Sequence, residues 1–324
     1  MNRYGNRGDI ATKTGFGMGV TEAAGENSGV LVLGADITDS VGLGPFRKRF
    51  SDRFFSLGIA EQNCTGVAAG LALEGFIPVF STYGVFSSMR NADQLRISVC
   101  YNNLHVIIGG AHAGISVGPD GATHQALEDI AVVRALPNMT VLSPCDATQA
   151  RLLTKRAIEE LKGPVYIRYG REAVPDFTDE ELPVDVGKGQ VLKDGNDLTI
   201  MATGHMVWEA LQAAYRLKDE GMDAMVVNIH TIKPIDQKLI VECASKTGAI
   251  LTAEEHQVHG GFGSAVAEVV VKNHPVPMEM IGMEDKFGES GSPEELMEKY
   301  GLNSKNIAEK AKELITAKGA SGRG

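Results

Sequence analysis

Short apolar runs alternate with amphipathic stretches along the first half of the chain. The first run, Val30–Ala35, carries a glycine near its end, which indicates a buried parallel strand. Asp146 is a candidate N-cap for a helix that continues to Leu161, before Gly163-Pro164 ends it. Strand–helix alternation of this kind predicts a mostly parallel sheet with helices on both faces. The other predicted strands of this half are Ile77–Phe80, His105–Gly109, Thr140–Leu142 and Val165–Ile167.

The pattern breaks near residues 172–190, where the chain is acidic and contains Pro175 and Pro183. Such a segment is typical of a linker, which we assign to residues 176–187. The alternation then resumes, so the sequence predicts an α/β protein of two consecutive domains with mostly parallel sheets, residues 1–175 and 188–324. The strands predicted for the second domain are Leu198–Ala202, Ala224–Ile229 and Ala249–Thr252. Its predicted helices are Val207–Glu220, Gly263–Lys272 and Ser304–Lys318, followed by a frayed end at Gly319–Gly324.

Composition and charge restrict the classes of partner. The 324 residues carry a formal net charge of −10, which disfavours binding to nucleic acid or to an anionic membrane. The N-terminal residues form no apolar signal segment, and no apolar run is long enough to cross a bilayer. The four cysteines are far apart and include no C-x-x-C pair, so we expect buried reduced thiols. These features predict a soluble cytoplasmic protein.

A glycine-rich loop, residues 117–125, brings polar side chains to the end of a predicted strand. The loop carries Asp120 and His124, and His112 lies at the strand exit. In parallel α/β sheets, ligands bind beyond the carboxyl ends of the strands. Two imidazoles and a carboxylate could bind sugar hydroxyls there and transfer protons. The alternative is a solvated turn with incidental histidines, before a helix-period stretch at Ala126–Leu136.

Glu61 is the second unusual feature of the first domain. It lies in Gly58–Asn63 (Gly-Ile-Ala-Glu-Gln-Asn), just before a small-residue helix, Gly66–Leu73, that is suited to close packing. A glutamate at the start of a helix complements the helix dipole, and for an isolated glutamate that explanation suffices. The motifs elsewhere in the chain decide between this role and a catalytic one.

The chain resembles the C-terminal portion of a transketolase, which comprises a pyrimidine-binding domain and a C-terminal domain. The resemblance runs from Ile10 to the final helix and rests on four motifs. They are Gly-Ile-Ala-Glu-Gln-Asn at 58–63, Phe-Ser-Thr-Tyr at 80–83, Asp-Gly-Ala-Thr-His-Gln at 120–125 and Pro-Asn-Met at 137–139. The resemblance implies an enzyme that uses thiamin diphosphate.

One motif of thiamin-dependent enzymes is missing from the chain. These enzymes hold the diphosphate through Mg²⁺ at a Gly-Asp-Gly segment, but here Pro119 and Lys193 precede the two Asp-Gly pairs at residues 120 and 194. Resemblance to split transketolases therefore implies that an N-terminal subunit holds the diphosphate and the Mg²⁺, in an α2β2 heterotetramer. This chain would carry no metal site. Its run of glutamates and histidines at Glu254–Gly263 corresponds to a structural strand-to-helix turn in the family.

The resemblance assigns the pyrimidine half of the cofactor site to this chain. Glu61 corresponds to the carboxylate that shares a proton with N1′ of the aminopyrimidine, which favours the imino tautomer that deprotonates the thiazolium C2. Tyr83 and Phe86 correspond to rings that stack on and line the pyrimidine, with core aromatics as the alternative. Met89 replaces a third aromatic of the family, and Asp36 corresponds to an aspartate near the cofactor and the subunit interface.

The same correspondence implies a substrate site for sugar phosphates. The residues that map near the sugar hydroxyls and the reacting carbons are His112, Asp120 and His124. Phosphate binding maps onto Arg171, with Ser40 beside it. Arg168 is a rival for the phosphate, although three residues along a strand end it can face the other side. Lys13 replaces a phosphate-binding arginine of the family, and its point charge lacks the bidentate fork of a guanidinium.

The activity implied by the resemblance is ketol transfer, in which a two-carbon unit passes from a ketose phosphate to an aldose phosphate. A 1-deoxyxylulose-5-phosphate synthase has a similar loop, but it has Asp-Arg-Ala-Gly where this chain has Ala-His-Ala-Gly at 111–114. A 2-oxoacid dehydrogenase E1 β subunit also belongs to a two-chain enzyme, but it fits residues 120–124 poorly. A non-catalytic scaffold or regulatory subunit is the alternative outside enzymes, and the presence of Glu61, His112 and His124 counts against it.

Overall fold

The computed structural model describes residues 4–321 of the chain. The strands are β1 Asp9–Ala11, β2 Val30–Gly34, β3 Phe54–Ser56, β4 Ile77–Tyr83, β5 Ile107–Ala111, β6 Thr140–Leu142, β7 Val165–Arg168, β8 Ala173–Pro175, β9 Gln190–Lys193, β10 Leu198–Ala202, β11 Ala224–Asn228, β12 Thr231–Lys233, β13 Ile250–Gln257 and β14 Met278–Met283. The helices are α1 Thr12–Glu26, α2 Gly44–Arg49, α3 Glu61–Leu73, α4 Ala92–Gln94, α5 Asp129–Arg134, α6 Ala147–Glu159, α7 Met206–Asp219, α8 Gln237–Thr247, α9 Phe262–Asn273, α10 Pro293–Lys299 and α11 Ser304–Ser321. Two π-helical turns, Phe86–Arg90 and Leu95–Cys100, flank α4, and 3₁₀ turns lie at Ser51–Arg53 and Ile115–Asp120.

Two mostly parallel sheets confirm the predicted fold class. The larger sheet has the order β12-β6-β7-β5-β4-β2-β3, and all its pairings are parallel except that of β12 with β6. The second sheet has the order β14-β13-β10-β11-β9, with β9 alone antiparallel. A small antiparallel pair, β1 with β8, completes the strands of residues 4–321. Because β12 comes from the second half of the chain, the two halves share the larger sheet.

The predicted strands are confirmed, and three of the six predicted helices, α6, α7 and α9, begin and end within two residues of their predicted positions. Asp146 caps α6 by accepting a hydrogen bond from Gln149 N at 2.8 Å. The same carboxylate accepts from Phe177 N and Thr178 N at 3.0 and 2.6 Å, which fixes the predicted linker against the start of α6. Residues 176–189 form neither a helix nor a strand.

Three helix predictions need correction. The helix predicted at Gly66–Leu73 begins five residues earlier, at Glu61. The stretch Ala126–Leu136 gives only the short helix α5, because the carbonyl groups of Ala126 and Leu127 accept hydrogen bonds from Gly114 N and Gln257 N and so cannot start a helix there. At the C-terminus, α11 extends through residues 319–321 of the segment predicted to fray. The remainder of that segment, residues 322–324, lies outside the described residues.

Close helix packing brings the N-terminus of α1 to the edge of the larger sheet. A Cβ at Gly15 would overlap the carbonyl oxygen of Ala147, and one at Gly19 would lie 2.5 Å from the carbonyl oxygen of Arg151. Glycine at these positions therefore lets α1 approach α6 closely. In consequence Lys13 N lies within hydrogen-bonding distance, 3.3 Å, of Gly170 O beyond the end of β7.

Two further observations concern the cysteines and the composition of the helices. All four cysteines are buried and free, as predicted. Within residues 4–321, none of the helices combines the length and the apolar composition that crossing a bilayer requires.

Candidate active site

The predicted site residues lie along the edge of the larger sheet where its parallel strands end. Tyr83 is the last residue of β4, His112 directly follows β5, and Arg171 follows β7 by three residues. Asp36 follows β2 at the same edge. Because β7, β5, β4 and β2 are neighbours in the sheet, these positions converge although they are distant in sequence.

Four rings form one wall of this crevice. The ring centroid of Tyr83 lies 4.2 Å from that of His112, 5.9 Å from that of Phe86 and 5.6 Å from that of His124. Phe86 and His124 are 5.5 Å apart by the same measure. Tyr83 and Phe86 are both half-buried, so they line a surface and do not belong to the core. The wall joins the residues predicted for the cofactor to those predicted for the substrate.

Glu61 begins α3 and lies at the other end of this wall. Its side chain is 3% exposed, and Oε1 lies 3.0 Å from Nη1 of Arg90. The guanidinium carbon of Arg90 lies 4.0 Å from the ring centroid of Phe86, which is a cation–π distance. Arg90 therefore connects Glu61 to the aromatic wall. Sequence reasoning missed Arg90, and the available signal was its position four residues after Phe86 on a helical segment.

His112 is the most buried polar residue of the wall, with 1% of its surface exposed. It has a left-handed backbone conformation, φ 53°, which is uncommon for a residue other than glycine. Its Nε2 lies 3.3 Å from Oγ of Ser40, and that hydroxyl lies 3.1 Å from the Tyr83 hydroxyl. Burial, followed by the charges of Lys13 and Arg171, lowers the pKa of His112 to about 3. The imidazole is therefore neutral near pH 7 and acts through hydrogen bonds.

Charged groups surround His112 on the open side of the crevice. Lys13 and Arg171 lower its pKa, whereas Asp120 raises it, so all three charges lie close to the imidazole. Nη1 of Arg171 lies 3.0 Å from Oδ1 of Asp120, and its Nε lies 3.2 Å from a carboxylate oxygen of Glu172. These ion pairs are partly exposed, with about a third of each side chain accessible. The arrangement offers two cations for an anionic group next to a neutral imidazole.

His124 and Asp36 complete the predicted set. His124 is half-buried, and its Nδ1 lies 2.9 Å from the hydroxyl of Thr123. Asp36 is exposed and has a left-handed backbone, φ 69°, and its carboxylate makes no hydrogen bond or ion pair within the described part of the chain. It therefore lies at the edge of the site and not within the cluster.

Arg168 is the predicted residue that the structure keeps away from the crevice. It is buried, and its Nε lies 3.2 and 3.1 Å from the two carboxylate oxygens of Asp129. Its Nη2 donates to the carbonyl oxygens of Ala126 and Glu255 at 3.1 and 2.7 Å. Arg168 is the last residue of β7 and points into the interface between the two halves of the chain, whereas Arg171 lies in the segment beyond the strand. Of the two arginines, Arg171 is therefore the one that reaches the crevice.

The acidic and histidine-rich run of the second half has structural contacts. The carboxylate of Glu254 accepts hydrogen bonds from Phe262 N and Gly263 N at 2.6 and 2.7 Å, at the start of α9. The carboxylate of Glu255 points the other way and accepts from Ser116 N at 2.5 Å. His256 is fully buried, and burial lowers its pKa to about 4. Among residues 4–321, no three histidine, cysteine or acidic side chains are grouped closely enough to hold a metal ion.

Comparison with family models divides the chain into two matched regions. Residues 8–176 match the family described as "Transketolase, pyrimidine binding domain". Residues 187–307 match the family described as "Transketolase, C-terminal domain". The first match alone covers more than half of the chain.

Individual proteins agree with the family models. A "Putative transketolase C-terminal section" of Methanocaldococcus jannaschii is 42% identical over 93% of this chain and 95% of its own length. The "6-deoxy-6-sulfo-D-fructose transketolase subunit SqwH" of Clostridium sp. (strain MSTE9) is 40% identical over 92% of each chain. A solved structure described as "Split gene transketolase, inactive beta4 tetramer" is 47% identical, with a TM-score of 0.89 over 95% of this chain and 99% of its own. The chain therefore belongs to the transketolase family, as a transketolase-type enzyme subunit similar over nearly its whole length to the C-terminal sections of split transketolases.

Proposed function

We propose that this chain is the C-terminal subunit of a two-chain transketolase that transfers a two-carbon ketol unit from a ketose phosphate to an aldose phosphate. The observation that carries the proposal is the continuity of one crevice. Glu61 is joined to Phe86 through Arg90, and Phe86 is joined to His124 by a ring contact. An acid suited to cofactor activation therefore lies beside residues suited to sugar recognition, as a single carbon-transfer site requires.

Glu61 and the aromatic wall have the chemistry that the aminopyrimidine of thiamin diphosphate needs. Arg90 lies between Glu61 and Phe86, so its side chain would move aside when the ring binds there. Glu61 offers a buried carboxyl group, and Phe86 and Tyr83 offer ring faces and edges that are only half-buried. When bound, thiamin diphosphate would supply the nucleophilic carbon and the electron sink for the two-carbon unit. Glu61 would hold the proton at N1′ of the pyrimidine and share it with that nitrogen. An amide side chain in its place could not do this. The rings stack on the pyrimidine and exclude water from it.

The substrate side of the crevice fits a sugar with an anionic terminus. His112 is neutral near pH 7, so it can donate a hydrogen bond to a sugar oxygen or accept one from a hydroxyl. Asp120 and His124 offer further partners for hydroxyl groups and for proton transfer. Arg171, assisted by Lys13 and Ser40, binds the phosphate. The same cations could bind a sulfonate, the group named in the sulfofructose transketolase subunit to which this chain is similar.

We propose further that an N-terminal subunit holds the diphosphate and the Mg²⁺, in an α2β2 heterotetramer. The missing Gly-Asp-Gly motif supports this division of the site. The exposed face of α3 also supports this division. A Cβ at Gly66 or Gly70 on that face would meet no atom within 4 Å. Ile59 and Leu73 beside this face are 72% and 69% exposed. Exposed apolar side chains around a small-residue helix face suit close packing against a helix of another chain.

The alternatives differ in what they require of the crevice. An E1 β-like subunit would act on a 2-oxoacid and need no phosphate site, whereas a 1-deoxyxylulose-5-phosphate synthase-like subunit would also bind a sugar phosphate. The cluster of Lys13, Arg171 and Asp120 around His112 therefore counts against the E1 β-like alternative, and the assay below distinguishes the synthase-like one. A scaffold or regulatory subunit would need none of these groups.

A reconstitution assay tests the proposal. The chain is mixed with an N-terminal subunit that carries the Gly-Asp-Gly motif, thiamin diphosphate and Mg²⁺, and xylulose 5-phosphate is supplied with ribose 5-phosphate. We expect turnover from the pair and none from either chain alone. Turnover by this chain alone would contradict the shared site. A pair that binds the cofactor and leaves the sugars unchanged, but decarboxylates pyruvate, would favour the alternatives among thiamin enzymes.

A further inference from the structure

The loop that carries Asp120 and His124 is held by the second half of the chain. We call residues 113–127 the substrate loop. At its first end, Ser116 N donates to the carboxylate of Glu255 at 2.5 Å. At its far end, the carbonyl oxygen of residue 127 accepts a hydrogen bond from Gln257 N at 2.8 Å. Both partners belong to β13, so the two ends of the substrate loop are fixed to one strand of the second sheet.

The side chain of Gln125 holds the part of the substrate loop between these two ends. Its side chain is 2% exposed, and its Nε2 donates within the substrate loop to the carbonyl oxygens of Ile115 and Gly118, both at 3.3 Å. The same nitrogen donates to the carbonyl oxygen of Glu289 at 2.9 Å, in the segment between β14 and α10. One buried amide therefore closes the substrate loop on itself and joins it to the C-terminal domain. Gln125 is the last residue of the Asp-Gly-Ala-Thr-His-Gln motif.

Backbone segments pass close to the Gln125 amide and to the neighbouring part of the substrate loop. A Cβ at Gly288 would overlap Oε1 of Gln125, so the segment that follows β14 passes directly against the amide. A Cβ at Gly121 would lie 2.6 Å from the hydroxyl oxygen of Ser290, and Gly121 has a left-handed backbone, φ 74°. Only glycine combines that conformation with such a close approach. The surrounding packing therefore restricts the middle of the substrate loop to one conformation.

Asp120 and His124 lie on the segment that Gln125 closes. His124 is adjacent to Gln125, and its backbone N–H donates to Gly121 O at 3.0 Å. Asp120 directly precedes Gly121 and forms its ion pair with Arg171 from there. We propose that Gln125 is a positioning residue through which the C-terminal domain sets the places of Asp120 and His124 in the crevice. The consequence for substrate binding rests on the proposed function, whereas the mechanical link does not.

Hydrogen exchange of the full-length chain tests the mechanical link without cofactor or substrate. Gln125→Met keeps the length of the side chain and removes the amide. We expect the backbone amides of His124 and Gln125 to exchange about tenfold faster, since one buried hydrogen-bonding group is lost, while exchange of β5 and β10 is unchanged. Gln257→Met is the matched control, because Gln257 Nε2 makes the same kind of bond to Lys286 O at 2.7 Å, outside the substrate loop. Equal exchange in both variants and the wild type would overturn the proposal.

Kinetics of the reconstituted pair test the consequence for function. A merely structural loss would lower the amount of active enzyme and leave KM unchanged. A misplaced Asp120 and His124 would instead raise KM for the sugar substrates by about five- to tenfold, with a smaller fall in kcat. If Gln125→Met does not fold, Gly288→Ala disturbs the same contact from the other side and is measured in the same way. An unchanged KM with faster loop exchange would refute the positioning role. An inactive wild-type pair would contradict the proposed function alone, and the exchange data would then decide the mechanical link.

Discussion

Replacing Arg168 with methionine removes the cation that faces Asp129 inside the interface between the two halves of the chain. Asp129 has no exposed surface, and the substitution would leave its carboxylate with one hydrogen bond, from the Tyr166 hydroxyl at 2.9 Å. The carbonyl oxygens of Ala126 and Glu255 would lose their donor as well. A buried charge deprived of its partner costs about 3–5 kcal/mol, which includes most of the effect of the lost hydrogen bonds. We therefore expect the free energy of unfolding to fall by about 3–5 kcal/mol.

Urea denaturation followed by circular dichroism measures this change in the isolated chain. The double variant Arg168→Met with Asp129→Leu removes both charges, and it should recover more than half of the loss because no unpaired charge remains. A loss below about 1 kcal/mol in the single variant would refute the reasoning, since removing a typical surface ion pair costs no more than that. A double variant as unstable as the single one would refute it too.

Arg171→Met is the contrasting variant, because Arg171 is a third exposed and pairs with Asp120 at the crevice. Its stability should stay within about 0.5 kcal/mol of the wild type. In the reconstituted pair, KM for a phosphorylated sugar should rise roughly 100-fold, as expected for the loss of a hydrogen bond between charged groups. Arg168→Met should raise KM of the folded enzyme far less than Arg171→Met does, because Arg168 reaches the crevice only indirectly, through its hydrogen bond to Ala126 in the substrate loop. A large rise in KM for Arg168→Met with little change for Arg171→Met would indicate instead that Arg168 binds the phosphate.

Three further predictions concern the acid, the helix packing and the pH dependence. Glu61→Gln should nearly abolish turnover of the pair while calorimetry shows cofactor affinity unchanged, and substantial turnover would contradict the role of Glu61. Gly15→Ala should lower the free energy of unfolding by about 1–3 kcal/mol because its Cβ overlaps a backbone carbonyl, whereas Gly5→Ala, with open space around it, should not. Burial lowers the pKa of His230 from 6.5 to about 4, so the unfolded chain binds a proton first as the pH falls. This residue should therefore reduce stability below pH 6.5 by up to about 1.4 kcal/mol per pH unit until about pH 4, and His230→Asn should flatten the stability curve measured by denaturation over that range.

The sequence by itself predicted the central strands, the fold class and the candidate residues of the site. Apolar periodicity is a local property, and it identified strands such as β2 and β5 because both faces of a central parallel strand are buried. Motifs are local as well, and they identified Glu61, His112 and His124 before any contact was known. The same signals failed at α5, because carbonyl groups bound by distant residues prevent a helix that the local pattern favours.

Only the tertiary structure decided between residues that look equivalent along the chain. Arg168 and Arg171 are three positions apart, but Arg168 ends β7 and is buried with Asp129, whereas Arg171 lies beyond the strand and meets Asp120. Arg90 joined the site because a helical turn brings it over Phe86 and against Glu61, 29 positions away along the chain. Gln125 acquired one of its three partners, the carbonyl oxygen of Glu289, from 164 positions away along the chain. Periodicity records which face a side chain is on, whereas the partner it meets there depends on how distant elements pack.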